Sequence, residues 1–168
     1  IALSYLEKGV INVNYPFFVK INYESKSAAL ATDFFGLNYY SHSHLKFKFD
    51  SYEFFENKFL SSDTMTDMPY AIYPEGLYRA IRQAGKINRP IIITENGIAD
   101  ATDDRREIFI ERYIYAMSRA IKDGANVKGY YYWSLMDNFE WAEGYDMRFG
   151  LHEVNFKTQE RRLRKGSY

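Results

Sequence analysis

The sequence predicts an α/β fold on parallel strands. Three apolar, strand-like runs alternate with two amphipathic helical segments, and each run ends in polar residues. Alternation of this kind implies parallel strands joined by crossover helices. Near-continuous apolar strands imply a sheet covered on both faces.

The first run spans Ala31 to His42, where Asp33-Phe34-Phe35-Gly36-Leu37-Asn38-Tyr39-Tyr40 is aromatic and ends in polar residues. From Lys46 to Tyr73 the pattern loosens into Phe-rich and then Ser/Asp/Thr-rich sequence, which reads as a long loop. Pro74 opens a helix with Glu75 in its first turn, Leu77, Tyr78 and Ile81 along one face, and Gly85 and Lys86 at its end. The second run, Pro90 to Gly97, is short and β-branched and passes straight into a turn. Asp103 or Asp104 is the expected cap of a longer helix, whose Ile110, Tyr113, Ile114, Met117 and Ile121 keep a helical period until Gly124. The third run is Val127 to Ser134, followed by a polar and aromatic loop from Asp137 to Phe149.

Three strands cannot close a barrel, which needs eight and typically about 250 residues. The 168 residues therefore read either as an open sheet or as a slice of a larger barrel. No glycine-rich phosphate loop follows any of the strands, which favours the slice.

Composition narrows the function. Lys plus Arg and Asp plus Glu both number 22, so the net charge is zero and the electrostatic footprint of a nucleic-acid or acidic-membrane binder is missing. There is no cysteine, hence no disulfide framework and no thiolate metal site, a pattern that fits a reducing, cytoplasmic setting. No apolar run reaches membrane-spanning length. The opening Ile1-Ala2-Leu3-Ser4-Tyr5 is neither an initiator methionine nor a charged signal-peptide head, so the natural start is expected upstream. Aromatic residues make up 18% of the chain. Such rings fill cores, and they also stack on the apolar faces of sugars.

The polar residues gather at the C-terminal ends of the runs: Asn38 and Tyr40, then Glu95 and Asn96, then Trp133 with Asp137, Asn138, Glu140 and Trp141. In a parallel barrel that single face assembles the site. Glu95 stands out, because a carboxylate directly after Ile91-Ile92-Ile93-Thr94 sits on rigid backbone beside apolar surroundings. Such a group is expensive unless it is hydrogen-bonded or used chemically.

At these residues the chain resembles glycoside hydrolase family 1, the β-glucosidase family. Its nucleophile motif stands here as Ile93-Thr94-Glu95-Asn96-Gly97, and two more blocks match in order: Asp33 to Tyr40, and Gly129 to Phe149 with Trp133-Ser134-Leu135-Met136-Asp137-Asn138-Phe139-Glu140-Trp141. The resemblance implies one catalytic domain segment over residues 1–168, the C-terminal part of a (β/α)8 TIM barrel comprising barrel strands six to eight. It implies a retaining β-glycosidase acting on a small-molecule glycoside, with no cofactor. Glu95 would be the nucleophile and Tyr40 would orient it, with Asn38 supporting the same region. Glu140 would bind glycone hydroxyls, Trp141 would hydrogen-bond through its indole, Trp133 would be a stacking platform, and Phe149 would wall the pocket.

The resemblance also implies a missing half. The family's acid/base glutamate lies in an Asn-Glu-Pro motif that this sequence does not contain. A complementary N-terminal barrel segment is therefore needed, and the chain alone is expected to be inactive. The competing reading is a glycosidase-like carbohydrate-binding or receptor module without catalysis. Phosphoglycosides are disfavoured because no phosphate-binding triad stands out. His42 and His44 alternate on one side of an extended segment but lack a neighbouring third ligand, so no metal is expected. Arg161, Arg162, Arg164 and Lys165 read as the charged face of a last helix. Tyr70 stands where the family's lead-in usually carries tryptophan, so local loop packing is expected to differ.

Overall fold

A computed structural model describes residues 2–17, 19–26, 32–48 and 54–168. In chain order the elements are α1 (Ala2–Lys8), β1 (Val10–Tyr15), β2 (Val19–Glu24), β3 (Phe35–Asn38), β4 (His44–Phe47), β5 (Phe55–Lys58), α2 (Pro74–Ala84), β6 (Ile91–Asn96), α3 (Arg106–Lys122), β7 (Val127–Tyr132), β8 (His152–Val154) and β9 (Arg161–Leu163). Short 3-10 turns occupy Gly85–Ile87, Trp141–Glu143 and Lys165–Ser167.

The centre is a parallel three-stranded sheet in the order β3-β6-β7. Helices α2 and α3 pack on it and on each other. Leu77, Ile81 and Ala84 of α2 meet Phe109, Tyr113 and Ala120 of α3 over Ile91 and Ile93 of β6. Three antiparallel hairpins, β1–β2, β4–β5 and β8–β9, surround this unit.

The strand-helix-strand order agrees with the sequence reading, with several corrections. The first strand is confined to Phe35–Asn38 within the expected 31–42 run, and Ala31 lies outside the described residues. The segment from Lys46 to Tyr73 is not purely loop. It holds the β4–β5 hairpin, whose strands of four residues are too short and too polar to show alternation. Helix α3 starts with Arg105, rather than Asp103 or Asp104, at its N-cap position. The free amides of its first turn instead find Asp100, whose Oδ2 accepts from the N–H of Arg105 at 2.9 Å and of Arg106 at 3.0 Å. The buried face of α3 is also rotated: Phe109, Tyr113, Ala116 and Ala120 are buried, whereas Ile114 and Ile121 are exposed. The apolar stripe is wider than one face, and the small Ala116 and Ala120 permit close approach where branched side chains would not. The expected last helix is absent, since Arg161–Leu163 pairs with β8 as a strand.

Coverage of the sheet differs from expectation as well. The helices cover one face, with Ile91 and Ile93 of the central strand at zero exposure and Phe35, Leu37, Tyr130 and Tyr132 of its neighbours partly buried. The other face stays open, exposing Asn38, Thr94 and Tyr131. No helix among the described residues is long and apolar enough to cross a membrane.

Candidate active site

The three parallel strands bring the predicted polar residues to one edge. Asn38 of β3 lies in register with Glu95 of β6, with an irregularity between Leu37 and Asn38. A second irregularity falls between Ile93 and Asn96, opposite β7. Bulges of this kind re-aim side chains at the end of a strand.

Glu95 is half-buried and accepts a hydrogen bond at Oε2 from the Tyr40 hydroxyl at 2.8 Å. Its backbone carbonyl accepts from the Tyr39 N–H at 2.9 Å, so both the side chain and the main chain of Glu95 are tied to the end of β3. Burial pushes the Tyr40 phenol far above its ordinary range, and the hydrogen bond to Glu95 with the charges of Glu95 and Glu140 push it the same way. Tyr40 is therefore a permanent donor, and Glu140 is close enough for its charge to act on the same hydroxyl. The Tyr40 ring meets Phe149 edge-on at 6.1 Å and Tyr70 at 6.0 Å. Tyr70 thus packs against the residue that holds Glu95.

Asn38 does not reach the carboxylate by any described hydrogen bond. Its Oδ1 accepts from the Thr94 hydroxyl at 2.6 Å, fixing β3 to β6 one residue before Glu95. Asn96, fully buried, donates to the Tyr39 carbonyl at 2.7 Å and accepts from the Tyr130 hydroxyl at 2.8 Å, joining all three strands. Gly97 has a steric cause. A Cβ there would stand 1.7 Å from the Trp133 carbonyl oxygen, so only glycine lets β6 leave the sheet beside β7.

Trp133 directly follows β7, is half-buried, and donates its backbone N–H to the Asn96 carbonyl at 2.9 Å. Phe149 is buried. Glu140 sits in the loop before the 3-10 turn and anchors it through its main chain, accepting from Glu143 N–H at 2.9 Å. Trp141 is 83% exposed, so within this chain its indole is displayed rather than packed.

Two buried groups support this edge: Asp137, one of the polar residues the sequence places at the strand ends, and Arg106, which the sequence reading did not single out. Asp137, buried, accepts from the N–H of Gly150 at 2.9 Å and of Val154 at 3.2 Å, and pairs with Arg164 at 3.0 Å and Arg148 at 3.4 Å. Arg164 is accordingly buried, not part of a solvated charged face. Arg106 has no exposed surface. It pairs with Asp103 at 2.7 Å, donates to the carbonyls of Ile98, Asp100, Arg148 and Phe149, and meets the Tyr132 hydroxyl at 2.8 Å. Its spacing to Phe109 and Tyr113 puts an arginine on the apolar stripe of α3, and that was the available signal.

The same structure supplies a third polar group beside His42 and His44. The Asp63 Oδ2 lies 3.6 Å from the Nε2 of His44. The sequence reading set the two histidines aside for want of such a neighbour.

A parallel sheet with helices on one face and polar side chains gathered at its strand ends has the arrangement of a portion of an α/β barrel. The chain belongs to glycosyl hydrolase family 1, which it matches over residues 14–168. Beta-glucosidase A of Acetivibrio thermocellus is 38% identical over 182 aligned positions, covering 99% of this chain and 39% of that protein. A 6-phospho-beta-galactosidase of Leptotrichia buccalis is 38% identical over 174 positions, covering 86% of this chain and 37% of its own length. The beta-glycosidase structure from Pyrococcus horikoshii superposes with a TM-score of 0.82 at 39% identity, covering 99% of this chain and 38% of that one. The chain thus spans under two fifths of the length of each.

Proposed function

We propose that this chain is the C-terminal part of a retaining β-glycosidase, that β3, β6 and β7 are barrel strands six, seven and eight, and that Glu95 is the nucleophile. The hydrogen bond from Tyr40 to Glu95 at 2.8 Å is the observation that carries this reading. A nucleophilic carboxylate must be ionised and aimed, and a tyrosine that cannot deprotonate secures both by donating to one oxygen. The other oxygen is left to attack.

In the first step Glu95 forms a bond to the anomeric carbon while the bond to the leaving-group oxygen breaks, and a second carboxylic acid gives that oxygen its proton. In the second step water, deprotonated by the same group, displaces Glu95 from the covalent glycosyl-enzyme and releases the sugar. The two carboxyl groups of such a pair stand about 5 to 5.5 Å apart. The acid/base glutamate belongs to the complementary N-terminal barrel segment, so residues 1–168 form part of one catalytic domain and the chain alone turns over no substrate.

Glu140 and Trp141 bind glycone hydroxyls in this reading, Trp133 stacks on a sugar face, Phe149 walls the pocket, and Asn38 steadies the strand end. A carboxylate at Glu140 bonds hydroxyls strongly and repels a phosphate, which favours an uncharged glycone over a phosphorylated one. The setting we propose is a reducing cytoplasm, in keeping with the cysteine-free sequence.

The test is Glu95→Gln in the protein completed with its N-terminal segment. Turnover of an aryl β-glucoside should fall at least about 10⁴-fold. Surviving activity would remove Glu95 from the nucleophile's role, and hydrolysis by residues 1–168 alone would refute the need for a second half.

A further inference from the structure

Residues two apart in an extended segment share a side, and His42 and His44 turn their rings to one point. Their Nε2 atoms are 2.8 Å apart, and the rings stand nearly perpendicular with centroids at 4.5 Å. Asp63 arrives from the turn after β5, its Oδ2 3.6 Å from the His44 Nε2. One ligand atom from each of the three lies within 4.8 Å of the other two, and all three residues are half-buried. They line an open cavity of about 550 Å³ together with Ser62, Thr64 and Arg79.

The segments bearing these groups are held independently of any ligand. The Leu60 N–H donates to the Asp63 Oδ2 at 2.8 Å, and the Asp63 N–H to the Leu60 carbonyl at 3.0 Å. The Ser41 hydroxyl donates to the Ala71 carbonyl at 2.8 Å, and the Ile72 N–H to the Thr64 carbonyl at 2.8 Å. The carboxylate and the histidine segment are therefore positioned before an ion arrives.

We propose that His42, His44 and Asp63 form a Zn²⁺ site that clasps the two ends of the β4–β5 hairpin. Tetrahedral zinc with bonds of about 2.0 to 2.1 Å needs ligand atoms about 3.3 Å apart. The separations of 2.8 Å between the histidines and 3.6 Å from His44 to Asp63 bracket that value, and the third pair lies within 4.8 Å, so closing the set asks for an inward shift of His42 and Asp63 toward a common centre. Two imidazoles and one carboxylate suit zinc and its late-row neighbours, whereas Mg²⁺ and Ca²⁺ prefer all-oxygen shells. The fourth position opens to the cavity and takes water. Two features limit affinity. The His42 Nδ1 is buried without a hydrogen-bond partner, so that ring lacks the supporting acceptor of a fully built site. Arg79 brings a positive charge to the cavity wall, its guanidinium 5.8 Å from the centre of the Tyr73 ring. The site uses none of the residues assigned to the glycoside, and its test is independent of that reading.

Calorimetric titration of ZnCl₂ into the chelator-stripped, full-length protein that carries this chain decides the matter. One saturable zinc per chain is expected, with affinity reduced at least about tenfold in His44→Gln and in Asp63→Asn and unchanged in Glu95→Gln. Zinc should also raise the melting temperature of the parent and not of the two ligand variants, each first shown to be folded by circular dichroism. Absence of a saturable site, equal affinity in the ligand variants, or loss of affinity in Glu95→Gln would each overturn the assignment.

Discussion

The two faces of the central sheet differ in what completes them. On one, Ile91 and Ile93 pack under α2 and α3 with nothing left exposed. On the other, Tyr131 is 63% exposed and Thr94 and Asn38 are exposed as well. Glu95 stands at the end of the strand shared by both. The packed face carries the rigidity that aims the carboxylate, and the open face is where, in a closed barrel, the interior side chains of other strands would lie. Local order and functional completeness are therefore separate properties here.

The packed side should be the more sensitive to mutation. The largest effect is expected for Arg106→Ala. Removing a buried guanidinium strands Asp103 and the carbonyls of Ile98, Asp100, Arg148 and Phe149 without donors, at a cost of about 3 to 5 kcal/mol in chemical denaturation. Because Phe149 packs on Tyr40, the loss should also loosen the grip on Glu95. Next is Ile93→Ala, which empties a fully buried position and should cost about 2 to 5 kcal/mol. If either variant were neutral, the packed face would not be the source of the sheet's stability.

A third effect is smaller and depends on pH. Burial raises the Asp100 carboxyl, but hydrogen bonds from Arg105 and the charges of Arg105 and Arg106 outweigh it and hold the group below its ordinary value. A depressed folded-state value means that the stabilisation is present above the unfolded value of about 3.9 and is lost as pH falls through the folded one. Asp100→Asn should therefore cost about 1.5 to 3 kcal/mol at pH 7, and the gap to the parent should close as the pH falls below about 4. Urea unfolding at a series of pH values checks it, and a gap that stayed constant down to pH 2 would show that charge is not the cause.

The contrast also explains what could be read from sequence. β6 and α2 were legible because one apolar period and one proline decide each of them. The place of Glu95 at a strand end was legible because it follows the β-branched run Ile91-Ile92-Ile93-Thr94. The face of α3 was not, since isoleucines all round the helix leave the choice to the small size of Ala116 and Ala120. β9 was mistaken for helix because Arg161-Arg162-Leu163 carries no period, and its pairing with β8 is a tertiary fact. Asp63 could not be joined to His42 and His44, as a hairpin separates them in the chain. Asp137 and Arg164 likewise meet only once β8 and β9 have paired.

The smallest expected effect is the one that sharpens the contrast most. Tyr131 lies on the open face, where the Cβ missing from Gly129 would come to 3.4 Å from Ile92 and 3.5 Å from Tyr131 itself. In residues 1–168 alone, Tyr131→Ala should change unfolding free energy by no more than about 0.5 kcal/mol, as for exposed positions generally. In the protein completed by its N-terminal segment the same ring would fill barrel interior, and truncation should then cost about 3 to 5 kcal/mol. The difference between the two measurements reads the burial that the rest of the barrel contributes to this face. A small effect in both would mean that the open face stays open, and the barrel-slice reading of β3, β6 and β7 would fail with it.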